Sequence, residues 1–383
     1  MNKKQILLAA ATATVLAACS SDSEPSKAQD SSTGPAISLY AVGTDIATRS
    51  TDRNIQSTDF DAGETVDIFM EDAATTGTEL STLTAYTKPL PTTVTLGSDN
   101  VTRNLIFGAT QYWPGYGHSL SIWGIYPNSS VTNITNISSN QTFYVKTDQT
   151  KPEAYKASDL MIGIPYKAST YYNSALDPEG TVGEEKWSEA AIPMKFKHML
   201  TKINIRLSKS VTTQDITWQQ LRNAKVTVHG QVSTTFNPKD NSNTSIATAD
   251  YNADVTTAIT LYDPAQVSDT PNTLLWGSTT AEHQANSAVA EGDIAGLGLD
   301  ADVYLSYSGV IVPQTTSTTA HFITIQVGSN IFKYTTDSAI SLASQKVYTF
   351  DIKIHKASVV VTATIEDWDD SEDHIDPGTG VWQ

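Results

Sequence analysis

Seven histidines, at positions 118, 198, 229, 283, 321, 355 and 374, are the first residues to weigh for catalysis, and their spacing excludes most of it. No H-E-x-x-H pair sets two imidazoles on one helix face, and a single cysteine, Cys19, excludes a thiolate metal cluster. No G-x-S-x-G elbow presents a serine above a sheet, and no glycine-rich loop cradles a phosphate. His198 reads as a half-buried strand residue. The run Asp367-Trp368-Asp369-Asp370-Ser371-Glu372-Asp373 alternates oxygens as the start of a calcium loop does. Glu372, however, stands where the sharp turn needs glycine, and no glutamate closes the loop, so the run is a solvated acidic linker. Tyr112, Trp113, Tyr116, Trp123 and Tyr126 lie close enough in sequence to form a stacking platform for sugar, although strand alternation would send some of them into a core. These patterns imply no enzyme, no cofactor and no metal.

The remaining chemistry is at the N-terminus. Lys3 and Lys4 precede an apolar run from Ile6 to Ala18, which ends Leu16-Ala17-Ala18-Cys19. A basic start, a short apolar stretch and small residues make a secretory signal, too short to span a bilayer comfortably. The ending resembles the lipobox of bacterial lipoproteins, whose cysteine takes a diacylglycerol and becomes the first residue. Cys19 is therefore the expected lipidation site, residues 1–18 the signal peptide, and the outer membrane the expected first address. Lipidation would also leave no thiol for a disulfide.

The formal charge of the 383 residues is -17. Removing Lys3 and Lys4 with the signal takes it to -19, because residues 1–18 hold no acid. Such acidity excludes nucleic acid as a partner and polybasic attachment to anionic lipid. Copies of the chain repel one another at long range, so any contact between them must be apolar and hydrogen-bonded, acting within the roughly 8 Å over which salt leaves charge unscreened.

The elements that would position these residues are strands. After the polar tether Ser20 to Gly34, Ile37 to Val42 reads as a first strand, followed by a polar segment holding Arg49 and Arg53. Val66, Ile68 and Met70 alternate after the turn Phe60-Asp61-Ala62-Gly63-Glu64. Further strands are expected at 105–107, 120–126, 159–163, 203–207, 224–228, 303–307, 309–312, 321–327, 347–354 and 358–365. Many short strands with Pro, Gly, Asn and Ser between them imply an all-β chain of β-sandwiches. The hydrophilic stretch 172–190 puts the expected boundary near Ile192, dividing residues 50–191 from 192–357.

Several phrases, in this order behind the lipobox, resemble the fimbrillin family, the subunits of type V pili. They are Phe60-Asp61-Ala62-Gly63-Glu64-Thr65-Val66-Asp67-Ile68-Phe69, Phe196-Lys197-His198-Met199-Leu200-Thr201-Lys202-Ile203, Ile311-Val312-Pro313-Gln314, Lys346-Val347-Tyr348-Thr349-Phe350 and Ile365-Glu366-Asp367-Trp368. The resemblance implies two tandem transthyretin-like β-sandwich domains and no catalysis. It also implies export as an outer-membrane lipoprotein, with cleavage by an arginine-specific protease that removes the lipid and the first strand. Arg49, before Ser50, sits where that cut would fall, making residues 19–49 the tether and propeptide; Arg53 is a second possibility. The groove so opened would take a strand from a neighbouring fimbrial subunit, self or paralogous.

Residues 358–383 hold the candidate donor, with Val359, Val361, Ala363 and Ile365 on one face and Trp368 beyond. Three large apolar side chains at ~1.5–3 kcal/mol each would contribute roughly 5–9 kcal/mol. Ladder hydrogen bonds at ~1 kcal/mol apiece would add several more. The alternative is that this run is the last strand of its own sandwich. The expected function is a structural subunit of a surface fimbria, with roles in adhesion and biofilm; stalk, tip and anchor remain open. An anchor or accessory subunit, or a monomeric lipoprotein binding a glycan or host receptor, is the alternative.

Overall fold

A computed structural model describes residues 36–42, 60–72, 88–98, 102–112, 119–137, 139–165, 170–173, 185–187, 191–209, 216–242, 257–262, 274–276, 287–289, 303–355, 359–367, 372–373 and 381–382. The chain is all-β, as its strand pattern requires, with three short helices among the described residues. Its first half contributes β1 (Leu39–Val42), β2 (Thr65–Asp72), β3 (Leu90–Leu96), β4 (Arg103–Phe107) and β5 (Ser119–Tyr126). After helix α1 (Ser129–Thr132) come β6 (Gln141–Tyr144), helix α2 (Pro152–Lys156), β7 (Met161–Pro165), β8 (Thr170–Asn173), β9 (Glu185–Trp187) and β10 (Ile192–His198).

Nine of these strands form one sheet in the order β2-β3-β4-β1-β10-β7-β5-β8-β9, and β2 also pairs with β5. That last pairing closes β2, β3, β4, β1, β10, β7 and β5 into a ring, with β8 and β9 branching from β5. A closed ring has no free edge, so every strand in it has neighbours for both of its backbone edges. Alternation fills the interior: Val66, Ile68 and Met70 point inward with Val94, Leu105, Leu120, Ile122, Ile192, Met194 and Phe196. Phe196 fits only because the strands beside it carry Gly124 and Gly163. A Cβ at Gly124 or Gly163 would lie 2.5 Å from the Phe196 ring.

The second half runs β11 (Thr201–Lys209), helix α3 (Trp218–Arg222), β12 (Lys225–Gly230), β13 (Ser233–Phe236), β14 (Thr257–Thr260), β15 (Leu274–Trp276), β16 (Ser287–Val289) and β17 (Val303–Ile311). It continues with β18 (Gln314–Thr315), β19 (Ile323–Val327), β20 (Asn330–Thr335), β21 (Ser341–Leu342), β22 (Lys346–Ile354), β23 (Val359–Asp367), β24 (Glu372–Asp373) and β25 (Val381–Trp382). Two sheets, β16-β15-β17-β11-β22-β23-β24 and β14-β12-β19-β20-β25, contribute their inner faces to one core. Ile203, Ile205 and Leu207 point into it, as their spacing requires, and all are fully buried. The runs read as separate strands at 303–307 and 309–312 are one strand. Gly309 is the reason: without a side chain it lets Leu261 pack directly on β17.

β10 belongs to the ring, and the chain passes from it into β11 through Met199-Leu200. Ile192, Met194 and Phe196 alternate into the ring, so β10 is one of its strands, paired to both β1 and β7. The hydrophilic stretch that suggested a boundary contains β8 and β9. The halves are also not independently cored. Phe69, Ile125 and Ile162 join the same cluster as Ile203 and Phe350. β6 pairs with β13 across the join, and Gln149 bonds both the carbonyl and the amide of Val310. Lys239 reaches back to Glu71 at 2.6 Å.

Replacing Gly163 or Gly124 by alanine should overpack the ring and lower stability by about 1–3 kcal/mol, read as a lower urea midpoint. An unchanged midpoint in both variants would mean that Phe196 does not need the glycines.

Candidate functional site

The segment most suited to a switch is β1. It is the single stave between β4 and β10, parallel to β10 (Leu39 opposite Ile192, Ala41 opposite Met194) and antiparallel to β4 (Leu39 opposite Leu105, Ala41 opposite Arg103). Ile37, Leu39 and Ala41 alternate inward and are 4%, 2% and 9% exposed. The Ile192 amide donates to the Ser38 carbonyl at 2.8 Å, and the Ile37 amide donates to the Gln111 carbonyl at 2.8 Å. Strands lie about 4.8 Å apart, so removing β1 would leave a slot between β4 and β10 wide enough for one strand and lined with unpaired backbone groups.

Phe60 holds the downstream end. Its ring packs edge-on against Phe196 at 4.9 Å and Tyr126 at 5.4 Å, and its carbonyl accepts from Arg103 Nε at 2.8 Å. The turn that follows uses Gly63 at φ +92°, which only glycine adopts without strain. Lys156 Nζ, from α2, closes the turn by bonding Asp61 at 2.6 Å and Glu64 at 3.0 Å. Burial pushes the Glu64 carboxyl up, and Lys156 offsets that only in part. Burial opposes the charge of Lys156 as well, but its two carboxylates overcome this and hold it above its ordinary value. The Tyr126 phenol is pushed far up by its burial and by Glu64, and donates to Glu64 at 3.4 Å. Between β1 and Phe60 lies the segment with Arg49, Ser50 and Arg53, outside the described residues, as is Cys19.

The tail is paired within its own chain. β23 runs antiparallel to β22 through its whole length, setting Val359, Val361, Ala363 and Ile365 opposite Ile354, Ile352, Phe350 and Tyr348. Those partners are core residues, and Val361 is buried with them. β24 extends the same edge, whereas β25 crosses to the other sheet and pairs with Tyr334 and Thr335 of β20. Trp368 lies outside the described residues.

Other sequence candidates separate. His198 is fully buried rather than half-buried, its Nδ1 2.8 Å from Asp159, because it stands where β10 leaves the ring and turns into β11. Of the five aromatics, Tyr126 is buried. Trp123 lies under Lys239, whose Nζ is 5.1 Å from the ring centre and whose carbonyl accepts the indole N–H at 3.3 Å. Tyr112 is exposed; Trp113 and Tyr116 lie outside the described residues. Among the described residues no three His, Cys, Asp or Glu side chains converge on a metal position. No helix among them is long and apolar enough to cross a membrane. The β1 slot was legible as an edge strand; that it closes a ring was not, because the β2–β5 pairing has no local signal.

The sequence of residues 48–368 matches the family model for fimbrillin-like proteins. The chain belongs to the fimbrillin-like family. The match begins beyond β1, beside Arg49, and ends at Trp368. No curated protein sequence matches. Solved structures that resemble this fimbrillin-like chain include one from Bacteroides uniformis, described provisionally as a cell adhesion protein. It is 19% identical, with a TM-score of 0.48, over 87% of this chain and 99% of that one. A fimbrial protein from Bacteroides vulgatus is 14% identical, TM-score 0.38, over 87% and 99%. The tip fimbrial protein Mfa3 from Porphyromonas gingivalis is 11% identical, TM-score 0.37, over 87% and 100%.

Because the folded Glu64 binds its proton more tightly than the unfolded chain, it favours the fold below its ordinary value of 4.5, and that contribution is lost as pH rises through the raised folded value. Lys156→Met should therefore cost about 1–3 kcal/mol at pH 7 and distinctly less at pH 4, measured by urea unfolding at both. An equal loss at both pH values would remove Glu64 from the account.

Proposed function

We propose that this chain is a structural subunit of a surface fimbria, exported as a lipoprotein through Cys19, cut after Arg49 and assembled by strand exchange into the place of β1. One observation carries this reading: the strand that closes the ring is joined to the rest of the fold through the segment that holds the arginine. Burial of Ile37 and Leu39 at ~1.5–3 kcal/mol each accounts for about 3–6 kcal/mol of what an incoming strand must replace. Cleavage alone therefore weakens the hold on β1 without expelling it. An arriving strand recovers the same ladder.

The lining of the slot suggests a direction. From its N-terminal end this stave presents Ile37, just before β1, then Leu39 and Ala41 of β1: two large residues and one small. Val359, Val361 and Ala363 of a neighbour repeat that order at the same spacing, entering parallel to β10 with Ala363 in the place of Ala41. Reversed, with Ile365 in the place of Ile37, Ala363 would leave a void at Leu39, and Val361 would crowd the position of Ala41. The donor segment must first leave β22, exchanging a pairing in its own chain for one in its neighbour. Roles in adhesion and biofilm formation follow from such a fibre on the cell surface.

The pairing of β23 along all of β22 favours one alternative, an anchor or accessory subunit that accepts a strand but does not donate one. For that subunit, protein recovered from the surface should still begin at lipidated Cys19; for a processed subunit it should begin at Ser50.

Treating the purified chain with an arginine-specific protease should yield SDS-resistant ladders. Arg49→Ala, or deletion of residues 358–383, should abolish them. Ala363→Leu should reduce them strongly and Thr362→Leu, on the opposite face, should not. If the cut wild-type chain stays monomeric at high concentration, strand exchange is wrong for this protein.

A further inference from the structure

The outward face of the sheet β14-β12-β19-β20 is unlike the rest of this acidic molecule. Register puts Lys225, Thr227 and His229 of β12 on that face with Ala258 and Thr260 of β14, Thr324 and Gln326 of β19, and Ile331, Lys333 and Thr335 of β20. The opposite face, with Val226, Val228, Ile323, Ile325 and Tyr334, is core. None of the outward residues is a carboxylate, in a chain with 41 Asp and Glu against 24 Lys and Arg. Lys225, Gln326 and Lys333 are exposed. His229 Nε2 meets Thr324 Oγ1 at 2.9 Å, and His321, just before β19, meets Thr335 Oγ1 at 3.1 Å.

The charge around these histidines is positive. Burial, then His321 and Lys333, hold His229 below its ordinary value; burial and Lys333 do the same to His321. Among the described residues no carboxylate acts on either ring. Carboxylates stand at the margins of the face. Asp148 is close enough to Lys225 to be stabilised by it, and Asp337 is close enough to add to the raised pKa of the Tyr334 phenol. A face carrying two lysines and two protonatable histidines, in a molecule of net charge -17, is a site for an anion.

We propose that this face is the docking surface for the acidic segment 366–376 of a second copy of the chain. That segment carries Glu366, Asp367, Asp369, Asp370, Glu372, Asp373 and Asp376, the complement of a face that presents Lys225, Lys333 and two histidines. Part of the segment is already paired in its own copy. There Glu372 and Asp373 are held as β24 on the edge of the other sheet, opposite Glu366 and Ile365. The proposal rests on the subunit reading, since a fibre holds neighbouring copies at high effective concentration. It accounts for an acidic run directly after an apolar strand: the strand would supply the ladder, and the acids would select the partner's face. Protonation of His229 and His321 would strengthen docking, because a bound carboxylate supplies the counter-charge that both rings lack.

The probe is a fluorescent peptide of residues 366–376, titrated by anisotropy into the intact, uncut chain at low salt. Binding should tighten about threefold or more between pH 7.5 and pH 5.5. Lys225→Glu with Lys333→Glu should weaken it at least about tenfold at both pH values. His229→Gln with His321→Gln should keep the pH 7.5 affinity and lose the gain at pH 5.5. Thermal melts of each variant separate misfolding from lost contacts. Equal binding by the wild type and the double glutamate variant would overturn the proposal. So would binding of a polygalacturonate oligomer where the peptide fails, which would make the face a receptor for acidic glycan. Because the peptide is added to uncut monomer, its failure leaves strand exchange standing, and failed ladders with a bound peptide would sink strand exchange alone.

Discussion

A ring of strands is held by its closure: each strand satisfies the backbone groups of two neighbours, and no single one can leave without exposing two edges at once. Here the closing element is β1, only four residues long, which together with Ile37 just before it turns Ile37, Leu39 and Ala41 inward. Its neighbours are fixed by other constraints. β10 leads through Met199-Leu200 into the second half, and β4 is paired along β3. The strands on either side of β1 are thus held by pairings that do not involve it. Backbone pairing accepts any extended segment, and the inward side chains decide which one fits.

The same economy of edges shapes the second half. Its two sheets are finished by the tail, β23 and β24 on one and β25 on the other, so the C-terminus occupies the edges that would otherwise template aggregation. Phe69, Ile125 and Ile162 carry the ring's outer side into the second core, and Lys239 with Glu71 and Trp123 closes the seam. Polar pins reinforce it where strands turn: Lys156 between Asp61 and Glu64, and His198 against Asp159, each hold a chain reversal next to the ring core.

Charge acts at longer range. A molecule this acidic repels its copies until apolar and hydrogen-bonded surfaces meet, which makes specificity depend on shape and on local departures from the average sign. The face of β12, β19 and β20 is such a departure, legible only once register has gathered Lys225, His229 and Lys333, which are more than a hundred residues apart in part, onto one plane.

Local periodicity and turn chemistry were enough to read much of this fold from its residues. Val66, Ile68 and Met70, Ile203, Ile205 and Leu207, and the Gly63 turn each obey a pattern written within a few residues, because a strand's two faces alternate whatever surrounds them. The polar, threonine-rich β3 and the charged β20 escaped notice, since the neighbours that bury one face of each are distant in sequence. The polarity of 172–190 is a local property of composition, whereas membership of β10 in the ring depends on β1, more than a hundred residues upstream. Sequence alone determined that this is an all-β, acidic chain with an arginine after its first strand. Only tertiary structure decided that this strand closes a ring and that the tail lies along β22, because closure and register are set by long-range pairing, which leaves no trace in local spacing.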